Sequence, residues 1–451
     1  MFDLSIFKAY DIRGIVPEQL NEQAAYLIGG AIVQTLSSKY VAVAKDVRLS
    51  SDSLERALIR GITDAGANVD MLGVAPTDAL YFAVGKFGYD AGIVITASHN
   101  PAKYNGFKIC REKAIPLSAD EGLPEIRDIV RYGRFRFADR PGTISQKDIM
   151  VDYLLHCLSF VSIAKLLPYR IAIDAGNGVA GVFLPKLMAM LPFHISELFW
   201  ETDGTFPNHL PSPIEPENTE HLRRTVIEKK LDFGVAFDGD ADRMFIIDEG
   251  GNFVGGDMVT AMVSRKMLQR YPQASVVYNL ICSKTVPETV KRYGGKPIRS
   301  RVGHAFIKPL MREENAVFGG EHSGHFYFRD HWFADSGLIA FLVVAELLSD
   351  EGKTPSQLIS TMDRFYRTGE INSRVADRQK TLEAVSDALY LQTGVNPDTI
   401  DGITFDFGDW WFNLRSSNTE PLIRLNLEAS SHQQMIEKRD WVLDLIKNYG
   451  Q

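Results

Sequence analysis

Three aspartates at alternate positions, Asp238, Asp240 and Asp242 in the segment DGDADR, form the densest chemistry in this 451-residue chain. Carboxylates gathered in one short loop repel one another, and burial strengthens the repulsion. A hard divalent cation relieves it, and all-oxygen ligation suits Mg²⁺ or Ca²⁺. Glu249 stands where an EF-hand loop carries its twelfth-position ligand. However, Arg243 replaces the turn glycine, and strand-like runs flank the segment instead of helices. One Mg²⁺ with a position left open for a phosphate is therefore expected.

Three further loops carry polar groups of different kinds. In TASHNP (96–101), Ser98 follows an apolar run that reads as a buried strand. It lies outside a G-x-S-x-G elbow, and in an extended loop its side chain diverges from that of His99. Beside a metal ion, Ser98 can carry a phosphoryl group, because the cation neutralises charge that builds up during transfer. In RSSNTEP (415–421), Arg415, Ser417, Asn418 and Thr419, with Arg424 on the next run, join two guanidinium forks to hydroxyl and amide donors. That set matches phosphate oxygens. In GEHSGH (320–325), Glu321 and Ser323 can hydrogen-bond vicinal sugar hydroxyls, and His325 can move a proton near neutral pH. The histidine and glutamate spacing is not that of a zinc metalloprotease. Lys8, Arg13, Lys108, Lys284, His304 and Lys308 add cationic groups near these loops.

The elements that must position these loops follow from hydrophobic periodicity. Short apolar runs read as buried strands at 40–44, 91–95, 170–174, 233–237, 275–280 and 316–318. Helical stretches lie between them, at 52–65 behind Ser51 and near 181–191. One strand–helix pattern is used three times, and each copy delivers a strand into a polar loop. Such alternation implies α/β layers with buried sheets, whose ligands sit beyond the carboxyl ends of strands. The last eighty or so residues differ, with strands at 404–407, 409–414 and 422–429 and a closing helix over 433–447. The expected division is 1–145 with the Ser98 loop, 146–252 with the aspartate loop, 253–366 with the GEHSGH loop, and an α+β module over 367–451. A linker is expected near 366–372.

Composition excludes several function classes. The net charge is −8, with 45% hydrophobic and 24% charged residues. Bulk charge therefore gives no case for nucleic acid or an anionic membrane surface. The strongest apolar run, 338–345, is far short of the roughly 20 residues of a membrane span and reads as a buried helix. Three scattered cysteines without motif spacing fit a soluble protein of the reducing cytosol. The expected partner is a small phosphorylated sugar, and no feature sets an oligomeric state.

Four loops in this order, together with KAYDIRG (8–14), NGFKI (105–109) and VGHAFIK (302–308), resemble the signature set of the α-D-phosphohexomutase family, phosphomannomutase/phosphoglucomutase type. The resemblance spans essentially the whole chain. It implies four domains around a central cleft and an isomerase that moves a phosphoryl group between O6 and O1 of mannose or glucose. By resemblance, Ser98 is the phosphoserine and a metal ligand with Asp238, Asp240 and Asp242. Arg243 stays near the transferring group, and Lys108 and His325 transfer protons. Tyr10, Arg13, Lys284 and His304 contact substrate, Glu321 and Ser323 hold its 3- and 4-hydroxyls, and Arg415, Ser417, Asn418, Thr419 and Arg424 grip the phosphate that is not moving. A hexose 1,6-bisphosphate is the implied intermediate, and closure of the last domain is implied through the 366–372 linker. His322 departs from both the GEMSGH form and the GEQSGH form of phosphoglucosamine mutases, which leaves glucosamine as the alternative sugar.

Overall fold

A computed structural model describes residues 3–119, 121–416 and 422–450. Among them lie four sheets. The first three share one plan. A central strand runs parallel to a neighbour on one side and turns through a loop into an antiparallel strand on the other. In the first sheet Ala91–Ile95 pairs parallel with Tyr40–Lys45 and antiparallel with Tyr104–Arg111. In the second, Phe233–Phe237 lies between Arg170–Asp174 and Met244–Ile247. In the third, Phe318–Gly320 lies between Ser275–Asn279 and Phe326–Phe328. The loops expected to carry chemistry are the turns between these central strands and their antiparallel partners.

These central strands form where the apolar runs are buried on both faces. AGIVI and FGVAF are buried at every residue, as expected of strands covered by helices on two sides. One core continues from helix Thr77–Phe87 through Met150–Leu158 and Ala180–Met188 to Gly337–Glu351. It ties the second and third units to the rim of the first. Gly337–Glu351 contains the apolar run 338–345 and is the buried helix expected there. No helix among the described residues is long and apolar enough to cross a membrane.

The fourth sheet is antiparallel, in the order Tyr366–Arg374, Leu422–Ala429, Trp410–Ser416, Ile403–Asp406. Here the expected linker is corrected. Residues 366–372 belong to the edge strand Tyr366–Arg374, whose polar alternation reads as a loop until its pairing to Leu422–Ala429 is seen. Two expected boundaries, 145/146 and 366/367, accordingly fall inside strands, because Ile144–Gln146 also pairs back onto Asn68–Val74. Ser51 is the first residue of helix Ser51–Asp64, and its hydroxyl donates to Asp46 instead of capping the helix.

Candidate active site

Three loops from three sheets meet at one point. Asp238, Asp240 and Asp242 are almost wholly buried, and carboxylate oxygens of all three lie within 4.8 Å of one another. Asp238 accepts from Ser98 Oγ at 2.9 Å and from Arg243 Nε at 2.8 Å. Lys108 Nζ sits between Asp240 (2.6 Å) and Asp242 (2.5 Å), and Thr77 Oγ1 donates to Asp240 at 2.6 Å. Burial lifts Asp242 to about 7, helped by the charge of Asp240, and burial also raises Asp238. For Asp240 burial is outweighed by Lys108, which holds it ionised. Oδ1 of Asp240 and Oδ1 of Asp242 have no hydrogen-bond partner among the described residues. Buried carboxylate oxygens left unpaired beside two groups pushed toward protonation are the donor set a divalent cation satisfies.

Ser98 owes its position to a sharp turn. Its φ of +49° places it in the left-handed region, and its amide is held by Thr96 Oγ1 at 2.9 Å. Because of this turn, the expected divergence from His99 does not occur: Ser98 Oγ lies 3.3 Å from His99 Nδ1. That nitrogen nevertheless faces an N–H of Arg243, and burial keeps the ring neutral. With its lone pair engaged, His99 is not placed as a base for Ser98. Close packing completes the junction, since a Cβ on Gly239 would stand 2.4 Å from the Ser98 carbonyl oxygen.

Two sequence signals were missed here. Arg48, wholly buried, donates to the carbonyls of Ser98 (2.8 Å), Asn100 (2.6 Å), Pro101 (2.8 Å) and Tyr104 (3.0 Å), while its Nε rests on Asp46 at 3.0 Å. It ties down the whole loop that presents Ser98. A charged pair just past a buried strand, as in AKDVR, was the available clue. Asp335 was the other miss. It pairs with Lys308 at 2.6 Å and stands 4.0 Å from His325 Nε2, which is 3.8 Å from Asp242. Ser323 Oγ lies 3.1 Å from His325 Nδ1, and burial lowers His325 to about 4.

A cavity of about 720 Å³ opens over Ser98, Lys108, Arg243 and His325, with Tyr10, Arg13 and His304 on its wall. Arg13 is anchored by Asn100 at 2.8 Å, and Tyr10 meets the His304 ring edge-on at 5.0 Å. A second cavity of about 900 Å³, between the second, third and fourth sheets, is lined by Ser323, His322, Arg415 and Arg424. Two expected sugar contacts point elsewhere. Glu321 is buried and braces Gly303 N (3.1 Å), Asn279 (3.3 Å) and the Tyr327 hydroxyl. Lys284 Nζ is held by Asp406 at 2.6 Å and the Gly408 carbonyl at 2.8 Å, in a separate hollow against the fourth sheet. Ser417, Asn418 and Thr419 lie outside the described residues.

The same four-part order is found in known proteins. The chain matches the phosphoglucomutase/phosphomannomutase alpha/beta/alpha domain I over residues 4–136, domain II over 150–251, domain III over 255–365 and the C-terminal domain over 370–444. It belongs to the phosphoglucomutase/phosphomannomutase family. A phosphomannomutase of Salmonella typhimurium is 40% identical over 456 residues, covering 99% of this chain and 100% of that protein. A protein of Xanthomonas campestris pv. campestris described as phosphohexose mutases is 41% identical, covering 97% of each. The crystal structure of a phosphoglucomutase/phosphomannomutase family protein from Burkholderia thailandensis superposes with a TM-score of 0.90 at 32% identity, over 100% of this chain and 98% of that one. For a member of the phosphoglucomutase/phosphomannomutase family, the site described above lies where the first three sheets meet.

Proposed function

We propose that the chain is a phosphohexose mutase that interconverts hexose 6-phosphate and hexose 1-phosphate, with mannose and glucose as its sugars. The observation that carries this reading is the place of Ser98 Oγ. It is buried, 2.9 Å from Asp238 in the aspartate cluster, at the floor of one cavity, while Arg415 and Arg424 line the adjoining one. A substrate with reactive positions at both ends needs such a pair of sites, one that transfers and one that grips. The names of the full-length relatives support the same activity.

Asp238, Asp240 and Asp242, with Ser98, would hold Mg²⁺, which when bound supplies the countercharge for a phosphoryl group beside three carboxylates. In the first half-reaction the bond between phosphorus and Ser98 Oγ breaks as the free sugar hydroxyl bonds to phosphorus. Arg243 faces the moving group. His325, kept neutral by burial, takes the hydroxyl proton, and Lys108, kept protonated against its burial by Asp240 and Asp242, is the group that can return one to the departing Ser98 Oγ. The resulting hexose 1,6-bisphosphate turns over, and its other phosphoryl group returns to Ser98. Arg415, Arg424 and the loop residues Ser417, Asn418 and Thr419 grip the resting phosphate. Tyr10, Arg13 and His304 wall the transfer site. Ser323 is the ready sugar contact, whereas Glu321 and Lys284 join only after leaving their present partners. The four units divide after the strand Ile144–Gln146, near 252, and before the strand Tyr366–Arg374, and three buried free cysteines fit a reducing, cytoplasmic setting.

Intact mass and peptide mapping should find phosphate on Ser98. Coupled assays on mannose 1-phosphate, glucose 1-phosphate and glucosamine 1-phosphate should show the first two preferred. Mutase activity retained by Ser98→Ala would refute the mechanism, and a large preference for glucosamine would refute the sugar assignment.

A further inference from the structure

The arginine pair of the second cavity does not stand alone. Arg415 and Arg424 face each other directly across neighbouring strands, and like charges so placed repel. Glu370, on the next strand, reaches both: Oε2 lies 2.5 Å from Arg415 Nη2, and Oε1 lies 3.3 Å from Arg424 Nη1. A local irregularity makes this reach available. Arg367 pairs with Glu428 and Glu370 with Asn426, so the edge strand carries one extra residue between them, with Gly369 at φ +69°. In a regular strand, residues three apart point to opposite faces. The extra residue instead puts Arg367 and Glu370 on one face, and both line the cavity with Arg415 and Arg424. Glu370 takes one end of each guanidinium, and the Nε–H of each has no partner among the described residues.

We infer that Glu370 is a positioning residue for phosphate recognition, holding the two guanidinium groups together and in register for a dianionic phosphate monoester. This rests on the proposed role of Arg415 and Arg424. Without the carboxylate bridge, two facing cations separate and sample many rotamers, so their convergence must be bought from the ligand's binding energy. Glu370 contacts neither the moving phosphoryl group nor Ser98, so its effect falls on binding and not on the chemical step.

The test compares Glu370→Gln and Glu370→Asp with Arg415→Ala and Arg424→Ala. KM and kcat are measured for hexose 1-phosphate, together with inhibition by inorganic phosphate. The expected result is a rise of about tenfold in KM and in the phosphate inhibition constant for Glu370→Gln, with kcat kept. Glu370→Asp, too short to bridge both groups, should behave alike. Hydrolysis of phospho-Ser98 to water, which involves no second phosphate, should be unchanged. If both arginine variants raise KM but the Glu370 variants leave it unchanged or lower it, the inference is overturned and the phosphate grip stands. If kcat and thermal stability fall together with no change in KM, Glu370 is only structural and the inference is again overturned. If the arginine variants also leave KM unchanged, the assigned grip itself fails, and the inference with it.

Discussion

Gly239→Ala probes the junction of the aspartate and serine loops with one methyl group. The added Cβ would stand 2.4 Å from the Ser98 carbonyl oxygen, and such contacts are essentially never closer than 3.0 Å, so one loop must retreat by about 0.6 Å. The oxygen has little freedom, because Arg48 Nη2 holds it at 2.8 Å and Arg48 is fixed by four further bonds. The displacement therefore falls between Ser98 Oγ and Asp238, which are now 2.9 Å apart. Misplacing a reacting group by about 1 Å can cost about 100-fold in rate. A shift of about 0.6 Å should then lower kcat by roughly 10- to 100-fold, or about 1.4–2.7 kcal/mol in the barrier. Overpacking of this kind should also cost about 1–3 kcal/mol in stability. A coupled mutase assay gives kcat and KM separately, and a thermal melt shows whether the fold persists. KM should change little, because the groups that grip the resting phosphate lie on another sheet. A folded Gly239→Ala enzyme with kcat within about twofold of the parent would refute the claim that this junction sets the reacting geometry. Ala241→Gly, at a position already at φ +60°, should be tolerated in the same assay.

Three further outcomes are expected. Arg48→Met leaves Asp46 buried without its partner and frees four carbonyls, so thermal stability should drop by about 3–5 kcal/mol, with activity falling in parallel; Arg48→Lys should recover only part. Asp240→Asn removes both a proposed metal ligand and the partner of Lys108 and Thr77, so activity titrated against Mg²⁺ should fall by about 100-fold or more, and a chelator should silence the parent enzyme reversibly. The half-buried His156–His331 contact, 3.0 Å between ring nitrogens, should make the fold acid-sensitive. Burial first, then neighbouring Lys86, lowers His156 to about 4, and burial with His156 lowers His331 to about 3. The unfolded chain therefore takes up protons before the folded one. Stability is complete above about pH 6.5 and is lost as pH falls toward 4, by on the order of 1–2 kcal/mol per histidine. Urea midpoints measured across that range should show the slope, and His156→Phe should flatten it.

Much of the architecture was readable from the chain alone, for a local reason. Runs such as AGIVI and FGVAF are apolar at every position because helices cover both faces of their sheets, so burial is written in consecutive residues. Polar loops at the ends of those runs mark where ligands can reach the sheet, and this located Ser98, the three aspartates and the GEHSGH segment. The strand Tyr366–Arg374 was not readable, because an edge strand with one solvated face and an extra residue loses the period-two signal and is defined only by its partner Leu422–Ala429. Arg48, Asp335 and Glu370 were missed for a related reason. Arg48 and Asp335 are buried and Glu370 is partly exposed, but a single charge of either kind is unremarkable in sequence and acquires meaning only from the groups that surround it. The hold of Asp406 on Lys284 and the commitment of Glu321 to Gly303 are likewise pairings between residues apart in the chain, while the left-handed turn at Ser98 is a local backbone conformation that hydrophobic periodicity does not encode. Sequence determined which chemical groups the protein carries and which strands deliver them. Tertiary structure decided which of those groups meet, because hydrogen bonds and ion pairs depend on distances of a few ångströms that packing sets.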